Sequence, residues 1–393
     1  MKRPVLLILT ALFLVILGGV VFCAMRVKVS AGRVPAVEWS HTYGKGEARF
    51  VTQAKDGGYV FTGWLQSRPY DSSVFLARVD PRGNRQWMKV FNGNGYSCGY
   101  CVKEVNDGGF IVVGETKSRY GFDHDVYVVR TDAGGNLIWQ KTFGGRGCDY
   151  AWSVQQLKDG GFIVAGGTES FGAGLYDVYL IKLDSSGNEI WEKTYGGKKS
   201  DCAYAVQQTA DGGFLVVGNT DSFGSGNPGI YLLKTDGAGR MSWQKTYGGK
   251  GSNYGWSLLP AGDGDYLIAG EKEVVTAQGG TLTACLLEVD ASGHLLWEKT
   301  YGGGKSSSAC DVCQATDGGF VWTGKRESER GGYDIYAVKT DSSGRVVWEK
   351  SIKGAGVNCA YSILPAKDGG YLLAGRKGME KASESDILLL KLK

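Results

Sequence analysis

Histidine and proline are scarce in this chain, with three and seven residues among 393. His41, His124 and His294 are spread over separate segments, so no nucleophile–His–acid set assembles from their spacing. Beyond the N-terminal segment no stretch keeps the apolar period of about 3.6 residues that marks an amphipathic helix. An excess of one charge is missing too. After residue 33 there are 39 basic and 40 acidic side chains, which offers a polyanion no electrostatic footprint. Nucleic acid is therefore not an expected partner. The recurring D-x-x-G turns carry one acid each, too few oxygens for a calcium loop, and no metal or other cofactor is expected.

Glycine is what the chain has in plenty. Its 63 residues are roughly twice the ordinary usage of about 7%. Alongside many aromatic and β-branched residues, this predicts short strands joined by tight turns. The start of the chain is different. Residues Pro4–Met25 are uncharged and mostly apolar, long enough at about 1.5 Å per residue to cross a hydrocarbon core of about 30 Å. Residues 1–33 are read as an uncleaved membrane anchor; the alternative is a signal peptide cleaved near Ala31, leaving a secreted protein. Either way residues 34–393 are expected outside the cytoplasm.

Those residues repeat themselves. "WEKTYGG" at Trp191–Gly197 returns as "WQKTYGG" at Trp243–Gly249 and as "WEKTYGG" at Trp297–Gly303. A second phrase, Asp-Gly-Gly or a near match before an aromatic residue, begins at Asp56, Asp107, Asp159, Asp211, Asp263, Asp317 and Asp368, with spacings of 51 to 54 residues. Each period reads as four strands: "AYAVQQT", "FLVVGNT", "IYLLKTD" and "MSWQKTYGG" in the fourth copy. Seven copies of a four-stranded unit predict an all-β, seven-bladed β-propeller. The last copy lacks its Trp-bearing strand, and "AVEWSHTYG" at Ala36–Gly44 supplies one, so the ring is expected to close through the N-terminus. The small residues Ala48, Gly99, Ala151, Ala203, Gly255, Ala309 and Ala360 place the first strand of each unit nearest the axis. Trp39, Trp87, Trp139, Trp191, Trp243, Trp297 and Trp348 are structural residues expected to wedge between blades.

In these phrases residues 36–393 resemble the bacterial and archaeal extracytoplasmic β-propeller repeat proteins, whose repeats read W-x-K-T-Y-G-G, D-G-G-F and Y-L-hydrophobic-K-x-D. The resemblance implies the fold and little about activity. A looser likeness links Asp184, Gly187 and Trp191 to quinoprotein propeller repeats, but the Asp-to-Gly gap is one residue shorter and the Thr is absent.

Function is expected on the face where the longer connections lie: Lys117–Asp125, Glu169–Asp177, Val274–Ala284 and Gly378–Asp386 differ between copies while the scaffold does not. A non-catalytic platform for a protein or a cell-envelope glycan is the reading, with Tyr150, Tyr254, Phe171, Phe223, Tyr120 and His124 as ligand-binding candidates. Tyr100, Trp152, Tyr204, Trp256 and Tyr361 form a column expected to pack between blades; alternatively they ring the channel mouth and stack on a sugar or a peptide. The alternative is a glycan hydrolase or lyase needing two carboxylates. Asp149 and Asp201, at the same repeat position in adjacent copies, are the candidates for that pair; an Asp opening a strand also commonly caps its own turn. Cys98–Cys101 and Cys310–Cys313 are C-x-x-C pairs whose members should point to opposite faces of a strand. In an oxidising compartment Cys148 and Cys202 are the pair placed for a disulfide; otherwise these thiols are small buried side chains.

Overall fold

The computed structural model describes residues 33–393 apart from 69–70, 92–94, 119–122, 225, 263, 277–278 and 380–383. The apolar run Pro4–Met25 lies outside the described residues; within them no helix is long and apolar enough to cross a membrane.

Turn-forming phrases cut the described residues into 27 strands, which hydrogen-bond into five four-stranded sheets and one seven-stranded sheet. The fourth repeat shows the unit. Asp201–Gln208, Phe214–Thr220, Gly229–Thr235 and Met241–Tyr247 lie side by side in chain order, all antiparallel. The seven-stranded sheet is where the chain closes on itself. Its order is Cys359–Pro365, Tyr371–Gly378, Ser385–Leu392, Val37–Gln53, Tyr59–Arg68, Asp71–Val79, Arg85–Phe91. The 17-residue strand Val37–Gln53 pairs through its first half with the C-terminal strand, Thr42 opposite Leu388. Its second half pairs with Tyr59–Arg68, Val51 opposite Phe61. The N-terminal segment thus completes the last repeat and runs on, unbroken, as the first strand of the first.

Two turn chemistries recur. In D-G-G the Asp211 carboxylate accepts the Gly213 N–H at 3.0 Å and pairs with Lys234 Nζ at 2.8 Å, while Gly212 sits at φ +81°. The third-strand cation is matched to this turn in other copies: Arg78 with Asp56, Arg130 with Asp107, Lys182 with Asp159, Lys339 with Asp317 and Lys391 with Asp368. In D-x-x-G the Asp184 carboxylate accepts the N–H groups of Ser186 and Asn188, both at 2.8 Å.

Among the described residues seven apolar clusters fill the spaces between neighbouring repeats, and one of them joins the first repeat to the last through Phe61, Phe75, Leu372 and Leu389. Each repeat Trp packs against one cluster, Trp348 buried and the other six half-buried. The second partner of six of these rings, all but Trp348, is a turn glycine of the next repeat. A Cβ on Gly187, Gly239 or Gly293 would come within about 2.7 to 3.1 Å of Trp139, Trp191 or Trp243. The Tyr of the same phrase donates to that glycine's carbonyl: Tyr43 to Gly83 at 2.7 Å, Tyr247 to Gly293 at 2.6 Å, Tyr301 to Gly344 at 2.8 Å. The repeated "W-x-K-T-Y" is therefore a clamp onto the following unit.

One regularity departs from plain strand alternation. In all seven first strands the register slips by one residue beside the second strand, a β-bulge at Arg49, Tyr100, Trp152, Tyr204, Trp256, Cys310 and Tyr361. The glycine opposite admits no side chain: a Cβ on Gly166 or Gly218 would lie 1.8 Å from the carbonyl oxygen of Tyr150 or Cys202. The extra residue also shifts parity. Ala151 and Val154, three apart, belong to one cluster, as do Ala203 and Val206. Cys98 and Cys101 flank the bulged Tyr100, and Cys101 packs in the apolar cluster shared with the third repeat, which does not include Cys98.

Candidate functional site

The bulges aim their residues at the centre of the ring. All seven line one cavity of about 1100 Å³, enclosed by the first strands of every repeat. Tyr100, Trp152, Tyr204, Trp256 and Tyr361 accordingly face this cavity, which corrects their expected place between the blades.

They form a girdle of stacked rings. Tyr100 and Trp152 stack with centroids 3.9 Å apart, Trp152 meets Tyr204 edge-on at 5.6 Å, and Tyr204 meets Trp256 at 4.5 Å. Arg49 continues the row, its guanidinium 4.3 Å from the Tyr361 ring centre and 6.0 Å from that of Tyr100. Glu47 holds Arg49 and Arg376 at 2.7 Å each. The indole N–H groups of Trp152 and Trp256 are buried and meet no acceptor among the described residues.

Cys310 is the small member of the girdle. Beside it the cavity wall continues past the girdle level along Glu271, Ser308, Lys325, Cys359 and Arg376. In the opposite direction the cavity reaches Asn106, Lys158 and Pro365, next to the tight D-G-G turns. Asp311 accepts from Ser257 Oγ at 2.7 Å, the Val312 N–H at 2.9 Å and the Ile363 N–H at 3.0 Å, tying three neighbouring first strands together. Burial pushes the Asp311 and Glu271 carboxyls above their ordinary values.

The long-connection end holds most residues singled out from the sequence. Phe171 is exposed and Phe223 half-buried, each against the tyrosine of its own third strand. His124 stacks on Tyr96 at 5.2 Å and lies 3.3 Å from Glu115, whose hydrogen bond raises the imidazole above its ordinary value. Tyr150 and Tyr254 are half-buried beside Trp152 and Trp256. Tyr120 lies outside the described residues. The segment Val274–Ala284, expected to be a loop, extends its two strands as a hairpin, with Val274 opposite Thr281 and Val275 opposite Gly280.

Asp149 and Asp201 are fully buried and do not line the cavity. Asp149 accepts from Ser170 Oγ at 2.6 Å and the Gly145 N–H at 2.9 Å; Asp201 accepts from Ser222 Oγ at 2.6 Å and the Gly197 N–H at 2.7 Å. Both fasten their own connections. Cys148 and Cys202 are free thiols, and Cys202 Sγ instead lies 3.2 Å from the Tyr150 hydroxyl. Sequence reasoning ranked the girdle second to packing between blades and missed the bulges that aim it. A usable signal was present, since the second strand has a glycine at the same place in all seven copies: Gly63, Gly114, Gly166, Gly218, Gly270, Gly324 and Gly375.

The sequence matches no family model and no curated protein. Solved structures do match. The WD40 β-propeller domain of Doa1 is 14% identical with a TM-score of 0.56, over 91% of this chain and 97% of that one. The Neurospora crassa Pan2 WD40 domain is 10% identical with a TM-score of 0.53, over 89% and 95%. The β-propeller domain of the Trilobed protease from Pyrococcus furiosus is 11% identical with a TM-score of 0.50, over 91% and 94%. The fold of this chain is thus that of an all-β propeller built from four-stranded sheets.

Proposed function

We propose that the chain is a non-catalytic binding scaffold of the extracytoplasmic repeat-propeller kind, held at a membrane by residues 4–25, with a protein partner on its long-connection end. Seven blades are the natural count: seven sequence repeats, seven bulged first strands around one cavity and seven apolar clusters between neighbours support it. The observation that carries the binding surface is apolar exposure. Leu175 is 69% and Val275 54% exposed, and Tyr96, Phe171, Val274 and Met379 are exposed at the same end. None of these six belongs to the repeated W-x-K-T-Y and D-G-G phrases, and exposed apolar side chains that the scaffold does not require support a docking role for this end. Asp149 and Asp201 give hydrolysis no support, because serine and backbone donors already engage them.

The test is crosslinking capture from native cells with the full-length chain and its Leu175→Asp/Val275→Asp variant. A stoichiometric protein recovered with the parent and lost with an equally stable variant is the expected result. Equal recovery with both, or none with either, removes the reading.

A second reading places a saccharide end in the cavity, and the aromatic girdle, with indole N–H groups of Trp152 and Trp256 that meet no acceptor among the described residues, favours it. It requires that soluble envelope oligosaccharides change tryptophan fluorescence, and that Trp152→Phe diminish the change.

A further inference from the structure

Cys310 Sγ stands 3.9 Å from Cys359 Sγ. The two thiols come from the first strands of adjacent repeats, Ser307–Gln314 and Cys359–Pro365, 49 residues apart in the chain. The bulge at Cys310 turns its side chain out of the strand's regular alternation and toward the next sheet. Both residues line the cavity at the one place where the girdle has neither a ring nor a guanidinium. A disulfide needs sulfur atoms about 2.0 Å apart, so closing this pair takes a movement of about 2 Å shared between two side chains.

From this geometry we infer that Cys310 and Cys359 are a redox-active dithiol, which a small disulfide entering the cavity converts to a disulfide bond joining adjacent sheets. The Cys310 thiolate attacks one sulfur of a reagent such as oxidised glutathione. A bond forms from Cys310 Sγ to that sulfur, the reagent's S–S bond breaks, and the first glutathione leaves as a thiolate that takes up a proton. Cys359 Sγ then attacks Cys310 Sγ, its proton goes to solvent, and the second glutathione departs and is protonated in turn. Two protein thiols lose two electrons, and one small disulfide becomes two thiols.

The surroundings assign the two roles. Cys310 is half-exposed and Cys359 buried, so the reagent meets Cys310 first. The hydrogen bond from Cys359 lowers the Cys310 thiol below its ordinary value, with a smaller contribution from the Ser308 hydroxyl 3.8 Å away, while Cys359 is raised. Lys325 lines the same wall.

The test uses the purified full-length chain equilibrated with oxidised and reduced glutathione at a fixed ratio. Free thiols are then alkylated and the chain is digested without reductant. The expected product is a Cys310–Cys359 cross-linked peptide that approaches one per chain and disappears on reduction. With Cys359→Ser, reaction should stop at a glutathione adduct on Cys310; with Cys310→Ser, neither position should react. In urea the preference for this pair should vanish. A parent chain that keeps both thiols, or stops at the Cys310 adduct, at a ratio that modifies the Cys359→Ser variant overturns the inference. So do cross-links spread over the other cysteines, or an equal yield of this pair from the unfolded chain.

Discussion

The indole of Trp243 lies over Gly293, in the D-x-x-G turn of the following repeat. A Cβ there would approach Trp243 Cη2 to 2.8 Å, and Gly293 holds φ +74°. Tyr247, four residues after the Trp, donates to the carbonyl of the same glycine at 2.6 Å. The relation recurs at six of the seven repeat tryptophans, so contacts between successive units add to the strand pairing within each.

Gly293→Ala combines a left-handed backbone with a side chain the indole excludes, and a loss of about 2 kcal/mol or more is expected. Trp243→Ala should cost about 3 kcal/mol, since the ring is only half-buried. Tyr247→Phe should cost about 1 kcal/mol, the net worth of one hydrogen bond. Phe91 and Phe143 stand at this position in two other repeats and lack the hydroxyl. Urea unfolding midpoints of the three variants check the ranking.

Gly218→Ala tests the bulge. Its Cβ would sit 1.8 Å from the Cys202 carbonyl oxygen, so the first strand must shift or unpair beside Tyr204. The expected outcome is a loss of several kcal/mol, comparable to severe overpacking, with altered tryptophan emission as the girdle moves. Gly212→Ala, with no atom within 4 Å of the added Cβ, meets only backbone strain at φ +81° and should be milder. Comparable losses from both would contradict the bulge account.

Acid should loosen the D-G-G turns. The hydrogen bond from Lys234, joined by donors on Thr209 and Gly213, holds the Asp211 carboxyl well below the ordinary carboxylate value of about 3.9. A depressed folded-state value means that the stability Asp211 contributes is complete above that ordinary value and disappears as pH falls through the folded one. Asp107, Asp159, Asp317 and Asp368 are lowered likewise. Asp211→Asn should therefore be less stable than the parent at neutral pH, and the gap should shrink as pH falls below the ordinary carboxylate value of about 3.9. Unfolding curves from pH 7 downward read it directly.

Strands, turns and closure through Ala36–Gly44 were legible because each is written in local residue chemistry and repeated. The column at Tyr100, Trp152, Tyr204, Trp256 and Tyr361 was legible as a column but not in its direction. Alternation with period two assigns it to the blade interface, and only a one-residue bulge, recorded in the opposing glycine, turns it to the axis. The Cys310–Cys359 approach was hidden for the same reason, since it depends on how two bulged strands face each other across a sheet boundary. Asp149 and Asp201 show the reverse. The capping chemistry expected of an Asp at a strand start is what the structure displays.

A photo-activated crosslinking residue placed at Leu175, and separately at Ile190 on an exposed outer strand, would test the scaffold account most directly in native cells. The account predicts one discrete protein adduct from Leu175 and none from Ile190. The same adducts from both positions, or none from Leu175 while the chain remains folded, would contradict it.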